Sequence, residues 1–165
     1  VVVYGYFKRN SVHGTIIGSI SGALPPVAGY VAVTNSLDLA AWLLFMCSVF
    51  WQMHHFYSIA MYRMKDYEAA SIPVLPLRQV IITTELQMNL YIIGFLICCL
   101  ALTAKDFTGI SFIAIMSFSS LYWLYSGLKG IKRIDNEVWA KSMFKISLVV
   151  LLSFALMLSL NNWLV

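Results

Sequence analysis

The sequence predicts an all-α fold, a multi-pass bundle of transmembrane helices, from its composition and from its long charge-free stretches. Of 165 residues, 61% are apolar and 11% are charged, and the mean hydropathy is +0.81. A soluble domain is usually less than half apolar and about a quarter charged. The composition therefore excludes an ordinary cytosolic globule, a disordered chain and a nucleic-acid-binding protein, although the pI is near 9.0.

Five charge-free stretches predict five membrane spans. Each is close to or above the roughly 20 residues that cross a hydrocarbon core of ~30 Å as a helix. Because no water reaches that core, the backbone of each span must satisfy its own hydrogen bonds, which makes it a helix. The expected spans are residues 14–34, 39–62, 87–104, 108–128 and 144–162.

A further apolar stretch, Val1 to Phe7, is too short to cross the membrane. We interpret it as the tail of a sixth span whose beginning is missing. The expectation is therefore a single transmembrane domain over residues 1–165 that is truncated at its N-terminus. We expect such a fragment to be inactive by itself.

The basic residues predict the orientation of the spans. Ten of the eleven Lys and Arg residues lie on one predicted side, and Lys105 lies on the other. Loops rich in Lys and Arg stay in the cytoplasm. The sequence thus predicts a protein of the inner (plasma) membrane with its functional residues on the cytoplasmic side.

The first span combines small residues with a proline pair. Gly14, Gly18 and Gly22 recur every four residues, a spacing that lets another helix approach closely. Pro25 and Pro26 then interrupt the helical hydrogen bonds. A break at that depth is tolerated where the backbone is buried in protein or lines a cavity, so it weakly indicates a cavity.

The second span carries polar side chains at helical spacing. Residues three and four apart share a helix face, and ionisable residues inside a membrane usually face the bundle interior and mark function. The adjacent His54 cannot share that face with His55, and the spacing selects His55. The predicted polar stripe consists of Gln52, His55, Tyr62, Arg63 and Asp66.

The charges at the cytoplasmic end of this stripe favour a phosphate ligand. A carboxylate such as Asp66 can hold Mg²⁺ together with phosphate oxygens. Lys8, Arg9, Arg63 and Lys65 supply positive charge on the same side. This combination suits a diphosphate headgroup with its lipid tail among the helices, and it suits an anionic lipid equally well.

Three stretches of sequence resemble one known family. The first runs from Lys8-Arg9 through His13-Gly14-Thr15 and Gly18-Ser19 to Pro25-Pro26 and Gly29-Tyr30. The second, more specific, runs from Trp51-Gln52-Met53 and His55-Phe56 through Ile59-Ala60, Arg63 and Asp66-Tyr67 to Ile72-Pro73 and Leu75-Pro76. The third joins Trp139-Ala140-Lys141 with Phe144 and Ser147. They resemble the heme O synthase (protoheme IX farnesyltransferase) family of UbiA-type intramembrane prenyltransferases, and the likeness covers essentially the whole chain.

The resemblance implies transfer of farnesyl from farnesyl diphosphate to a vinyl group of protoheme (heme B), which gives heme O. It implies catalytic roles for Arg63, Asp66 and Tyr67, with Asp66 as the ligand of an expected Mg²⁺. It also implies partners, namely the lipid bilayer and a heme a synthase or terminal oxidase assembly. The substrate-binding residues that it implies are Lys8, Arg9, Lys65, His55 and Gln52.

Two departures from the family pattern affect these assignments. His54 stands where the family usually has proline, which should straighten the helix locally and makes the role of His55 less secure. The family's first acidic motif, Asn-x3-Asp-x3-Asp, has no counterpart in this sequence. We expect that motif to precede Val1 in a longer protein.

Two other functions stay open at this point. One is a prenyltransferase of a quinone pathway, which would act on an aromatic acceptor such as hydroxybenzoate. The other is a non-enzymatic transporter or heme-handling scaffold, in which the polar stripe would line a path or a binding cavity. The scaffold hypothesis predicts that replacing Asp66 leaves heme O formation intact.

Overall fold

The computed structural model describes residues 14–71, 74, 81–131 and 136–160. In these ranges every regular element is a helix, and there is no strand. The all-α prediction is therefore confirmed. The helices are α1 (Gly14–Gly22), α2 (Leu24–Thr34), α3 (Leu39–Tyr62), α4 (Met64–Ala69), α5 (Ile81–Ala104), α6 (Ile110–Leu128) and α7 (Asn136–Leu160).

The first predicted span contains the break that the proline pair indicates. The chain turns at Ala23, and Pro25 and Pro26 lie in the first turn of α2. The first N–H groups of a helix have no partner within it, so proline costs no hydrogen bond there. The helices α1 and α2 thus follow one another as two pieces of one apolar stretch.

Four helical stretches of the described chain are long and apolar enough to cross a membrane, and α3 is not among them. The helix α3 has the required length, 24 residues, but its polar residues lower its hydropathy. The helices α5 and α7 begin before the predicted spans, because they continue beyond the apolar core and include charged residues such as Glu85 and Lys141. The four stretches are Thr15–Thr34, Ile81–Ala104, Ile110–Leu128 and Asn136–Leu160.

The polar helix α3 lies at the centre of the bundle. It packs against α1, α2, α5 and α7, while α6 packs against α5 and α7. Half of its length is buried, including Gln52, His54, His55 and Ser58. Its polar side chains thereby avoid the lipid, where an unsatisfied polar group would be costly.

Candidate active site

The candidate site begins where α3 ends. Arg63 leaves the helical conformation, with φ −106° and ψ 22°, although its N–H still donates to the Ile59 carbonyl at 2.9 Å. The Arg63 carbonyl then accepts from the N–H groups of Asp66 (3.0 Å) and Tyr67 (3.1 Å) at the start of α4. This turn brings the three predicted catalytic side chains, Arg63, Asp66 and Tyr67, to one pocket.

An open pocket of about 460 Å³ lies at this turn. Its polar edge consists of Arg63, Asp66 and Tyr67, which we call the rim residues. Its apolar wall consists of Ile59, Tyr62 and Phe144, the last of them supplied by α7. All three predicted catalytic residues therefore line one pocket, and their chemical roles stay predictions.

The charges of the rim residues are loosely paired. Arg63 Nε lies 4.0 Å from Asp66 Oδ2, and the two side chains are 60% and 73% exposed. An exposed pair of this kind contributes at most ~1 kcal/mol to stability. The Arg63 guanidinium also lies 5.9 Å from the centre of the Tyr62 ring. Both charges thus retain hydrogen-bonding capacity for a ligand.

The pocket supplies one carboxylate for a metal ion. In the part of the chain that the structure describes, no three His, Cys, Asp or Glu side chains form a metal-binding group. Asp66 is the carboxylate among the residues that line the pocket. One carboxylate is a sufficient protein contribution when phosphate oxygens complete the Mg²⁺ coordination. The arrangement fits a metal that arrives with a diphosphate.

His55 lies behind the aromatic wall of this pocket. Its ring stacks on Trp51 (centroids 4.7 Å apart) and lies tilted against Phe144 (4.8 Å). Its Nδ1 is 2.8 Å from the Ser147 hydroxyl, and the Trp51 indole N–H donates to the Ser147 carbonyl at 2.7 Å. Phe144 also contacts Tyr62, with centroids 5.7 Å apart. One set of aromatic contacts therefore joins His55 to the pocket.

The neighbouring His54 faces another part of the bundle. It is fully buried, and its ring meets Trp123 of α6 edge to face at a centroid distance of 4.4 Å. The helix continues through this position without a break. His55 thus faces α7 and His54 faces α6. The two adjacent histidines lie on different faces of α3, as helical spacing predicts.

Two predicted substrate contacts that the structure describes do not line the pocket. Gln52 is buried against α1, where a β-carbon on Gly22 would overlap its amide. Lys65 is exposed on α4 but does not line the pocket. Lys8 and Arg9 lie outside the described residues. The structure therefore brings together the predicted catalytic group but leaves Gln52 and Lys65 outside the lining of the pocket.

Two residues of the site had no predicted role. Phe144 forms part of the pocket wall, and Ser147 holds the His55 ring. Both belong to the third stretch of family resemblance, which was the available signal. They lie some 90 residues from His55 in the sequence, so helical spacing could not connect them with it.

Fold and pocket together define a multi-pass membrane protein whose site suits a ligand with an anionic head and an apolar body. A model of the UbiA prenyltransferase family matches residues 1–164. The chain belongs to this family, whose members are prenyltransferases. No solved structure matches the chain.

The curated relatives of this chain point to one group of proteins within the family. The chain is 46% identical over 156 residues to a protoheme IX farnesyltransferase of Pseudomonas savastanoi pv. phaseolicola, an alignment that covers 94% of this chain and 53% of the relative. It is 48% identical over 151 residues to that of Protochlamydia amoebophila, with 92% and 53% covered. The chain spans about half the length of the curated relatives it matches. The family resemblance that the three sequence stretches indicated is confirmed.

Proposed function

We propose that this chain provides part of the active site of a protoheme IX farnesyltransferase. In the reaction, the C1–O bond of farnesyl diphosphate breaks and the farnesyl carbon bonds to the terminal carbon of a vinyl group. Water supplies a hydroxyl to the other vinyl carbon and releases a proton, which gives heme O and diphosphate. The observation that supports this most is the pocket that combines the rim residues with an aromatic wall in a chain of this family.

The rim residues suit the departing diphosphate. As the C1–O bond breaks, negative charge grows on the phosphate oxygens, and a fixed cation stabilises it more than it stabilises the bound substrate. Arg63 supplies that cation with planar, bidentate donors. Tyr67 offers a hydroxyl beside it. From the family resemblance, Lys8, Arg9 and Lys65 are also assigned to the stabilisation of the diphosphate.

Asp66 is the residue that would hold the expected Mg²⁺. When bound, the ion neutralises the phosphate charge as a Lewis acid. Asp66 alone supplies one ligand, so the phosphate oxygens must supply others. Its exposed carboxylate and its loose pairing with Arg63 leave it able to do so.

The apolar wall suits the farnesyl chain and the cation that forms at C1. Tyr62 and Phe144 present aromatic rings, which attract cations through their π-systems. Ile59 helps to exclude water, which would otherwise capture the cation before the vinyl group reacts. The pocket therefore has a polar and an apolar side in the order that an amphiphilic diphosphate requires.

The location proposed for this reaction is the cytoplasmic side of the inner membrane. The support is the distribution of Lys and Arg, of which ten of eleven lie on the predicted side of the rim residues. The product would pass to a heme a synthase or to the assembly of a terminal oxidase. Both partners follow from the family resemblance.

The test is heme O formation by the full-length protein in membranes that are supplied with farnesyl diphosphate, Mg²⁺ and protoheme. Asp66→Asn should lower the rate by at least about 100-fold, the scale on which a removed electrostatic contact acts on a transition state. Glu68→Gln is the matched control, since Glu68 lies exposed on the same helix but not at the pocket.

Each alternative function has its own outcome in this assay. Retained heme O formation in Asp66→Asn contradicts the role of Asp66. Prenylation of hydroxybenzoate in place of protoheme by the wild-type protein would establish the quinone-pathway alternative. Binding of protoheme without any product would favour the heme-handling scaffold.

A further inference from the structure

The pocket at the rim residues has an apolar inner end. Along α3 its lining runs from Arg63 inwards to Ile59, which lies one helical turn, about 6 Å, deeper in the bundle. Phe144 of α7 lines the pocket at this depth, because its ring contacts Tyr62 (centroids 5.7 Å apart) and, further inwards, His55 (4.8 Å). A ligand whose anionic head lies at the rim residues therefore meets Phe144 with its apolar tail.

The ring of Phe144 is supported from behind. His55, against which it lies, stacks on Trp51 with centroids 4.7 Å apart, and its Nδ1 is 2.8 Å from the Ser147 hydroxyl. The same hydroxyl donates to the Phe144 carbonyl at 2.6 Å. Since closely packed side chains transmit a displacement to their neighbours, Phe144 cannot move inwards without disturbing His55.

The size of the pocket makes the length of a bound tail important. Its volume of about 460 Å³ lies in the lower half of the range of roughly 300–1,000 Å³ that small-molecule sites have. A tail that is longer by one isoprene unit would press against the supported ring, and overpacking of an apolar site is unfavourable. A tail that is shorter by one unit would bury less apolar surface and bind less tightly.

We propose that Phe144 sets the length of the isoprenoid chain that the pocket accepts. This inference rests on the proposed function, which supplies a prenyl diphosphate as donor and protoheme as acceptor. The other aromatic residue of the wall suits this role less. Tyr62 has the Arg63 guanidinium 5.9 Å from its ring centre, so it borders the head of the ligand, whereas Phe144 extends from Tyr62 towards His55 along the tail.

The test is a competition between two prenyl diphosphates for the full-length protein in membranes. Protoheme, Mg²⁺ and equal concentrations of farnesyl and geranylgeranyl diphosphate are supplied, and mass spectrometry measures the two prenylated hemes. Phe144→Ala and Phe144→Leu should raise the ratio of geranylgeranyl to farnesyl product by at least about tenfold, the lower limit of what one methylene group contributes in an apolar pocket. In a mixture of farnesyl and geranyl diphosphate, Phe144→Trp should shift the products towards geranyl.

The product ratio separates tail length from other effects of the substitution. The two donors compete for the same protein, so the ratio reports the quotient of their kcat/KM values. Loss of folded protein or a displaced His55 slows both reactions equally and leaves this quotient unchanged. Phe118→Ala is the matched control, because Phe118 is 77% exposed on α6 and does not line the pocket. It should keep the wild-type ratio.

The outcomes distinguish this inference from the function on which it rests. Wild-type ratios in all three Phe144 variants overturn the role of Phe144 and leave the proposed function intact. A shift of equal size in Phe118→Ala also overturns that role, since it would show that the ratio does not report contacts in the pocket. If the wild-type protein forms no prenylated heme from any of the donors, the proposed function fails, and the inference fails with it.

Discussion

An acidic residue lies close to each end of α3, Asp38 just before it and Asp66 in the following helix α4, and the two acids differ in how they are bonded. At the beginning, Asp38 accepts a hydrogen bond from the Ala41 N–H (3.1 Å) and another from the Tyr30 hydroxyl (2.9 Å). At the end, Asp66 has the Arg63 Nε at 4.0 Å, and its side chain is 73% exposed.

The charge of Asp38 is bound within the fold, whereas the charge of Asp66 is available to a ligand. Asp38 caps the first turn of α3 and ties it to α2, so both of its oxygens serve the fold. Asp66 is paired only loosely with Arg63, so its oxygens can bind a ligand. Changes at the first end should therefore alter stability, and changes at the second end should alter activity.

The largest expected effect is at the Arg63 end. Arg63→Ala should lower kcat/KM for farnesyl diphosphate by about 100-fold, because it removes a cation that lines the pocket. The Tm should hardly move, since the exposed pair with Asp66 adds at most ~1 kcal/mol. Steady-state kinetics and thermal unfolding of the full-length protein measure the two quantities.

Lys65→Ala is the comparison for that variant. Lys65 is exposed and does not line the pocket, so solvent screens its charge from the ligand. We expect a loss of about threefold or less in kcat/KM. Equal losses in the two variants would contradict the assignment of Arg63 to the rim residues.

At the other end, Asp38→Ala should lower the Tm by several degrees and leave the kcat of the folded protein unchanged. The variant loses the cap of α3 and the acceptor of the Tyr30 hydroxyl. Thermal unfolding in nanodiscs measures the first effect, and heme O formation measures the second. A fall in kcat at unchanged Tm would contradict the contrast between the two ends.

Tyr30→Phe should produce a smaller change of the same kind. It removes one hydrogen bond to Asp38 but leaves the ring in place and the cap to Ala41 intact. The Tm should fall by less than in Asp38→Ala, because a single exchanged hydrogen bond contributes little net stability. A larger fall than in Asp38→Ala would contradict this order, because Asp38→Ala removes the same hydrogen bond and the cap as well.

The smallest expected effect is a pH dependence of stability. The hydrogen bond from the Ala41 N–H, assisted by the Tyr30 hydroxyl, lowers the pKa of Asp38 in the folded protein. A lowered pKa contributes stability above the unfolded value, near 3.9, and this contribution is lost as the pH falls through the folded value.

The measurement is the Tm of the wild type and of Asp38→Asn from about pH 6 to about pH 2.5, a range that includes the unfolded pKa of the carboxyl group. The excess Tm of the wild type should shrink as the pH falls. Parallel curves would show that Asp38 does not contribute to the acid sensitivity. Because the remaining carboxylates are common to both proteins, the difference between the curves isolates this residue.

Much of the fold follows from the sequence because a membrane helix needs a continuous apolar stretch of roughly 20 residues. Charge-free length predicted the helices, and the Pro25-Pro26 pair predicted the break before α2. The helices α5 and α7 begin before the predicted spans, since a helix can continue after the bilayer ends and charge does not stop it. Hydropathy also does not predict that α3 is central, because burial by neighbouring helices is a tertiary property.

The candidate site was predictable to the extent that it lies on one stretch of chain. Arg63, Asp66 and Tyr67 are close in sequence, and a single turn brings them together. Helical spacing placed Gln52 on the same stripe, but the close approach of α1 covers it. The contacts that Phe144 and Ser147 make with His55 depend on how α7 packs against α3, which no local pattern specifies.

The polarity of α3 has a consequence for how the protein enters its membrane. A helix with buried Gln52, His54, His55 and Ser58 places these polar groups against its neighbours and not against lipid. We therefore expect α3 to insert together with the helices α2 and α5, which precede and follow it in the sequence. Biogenesis of this bundle would then be cooperative, with α3 stabilised in the bilayer by its neighbours.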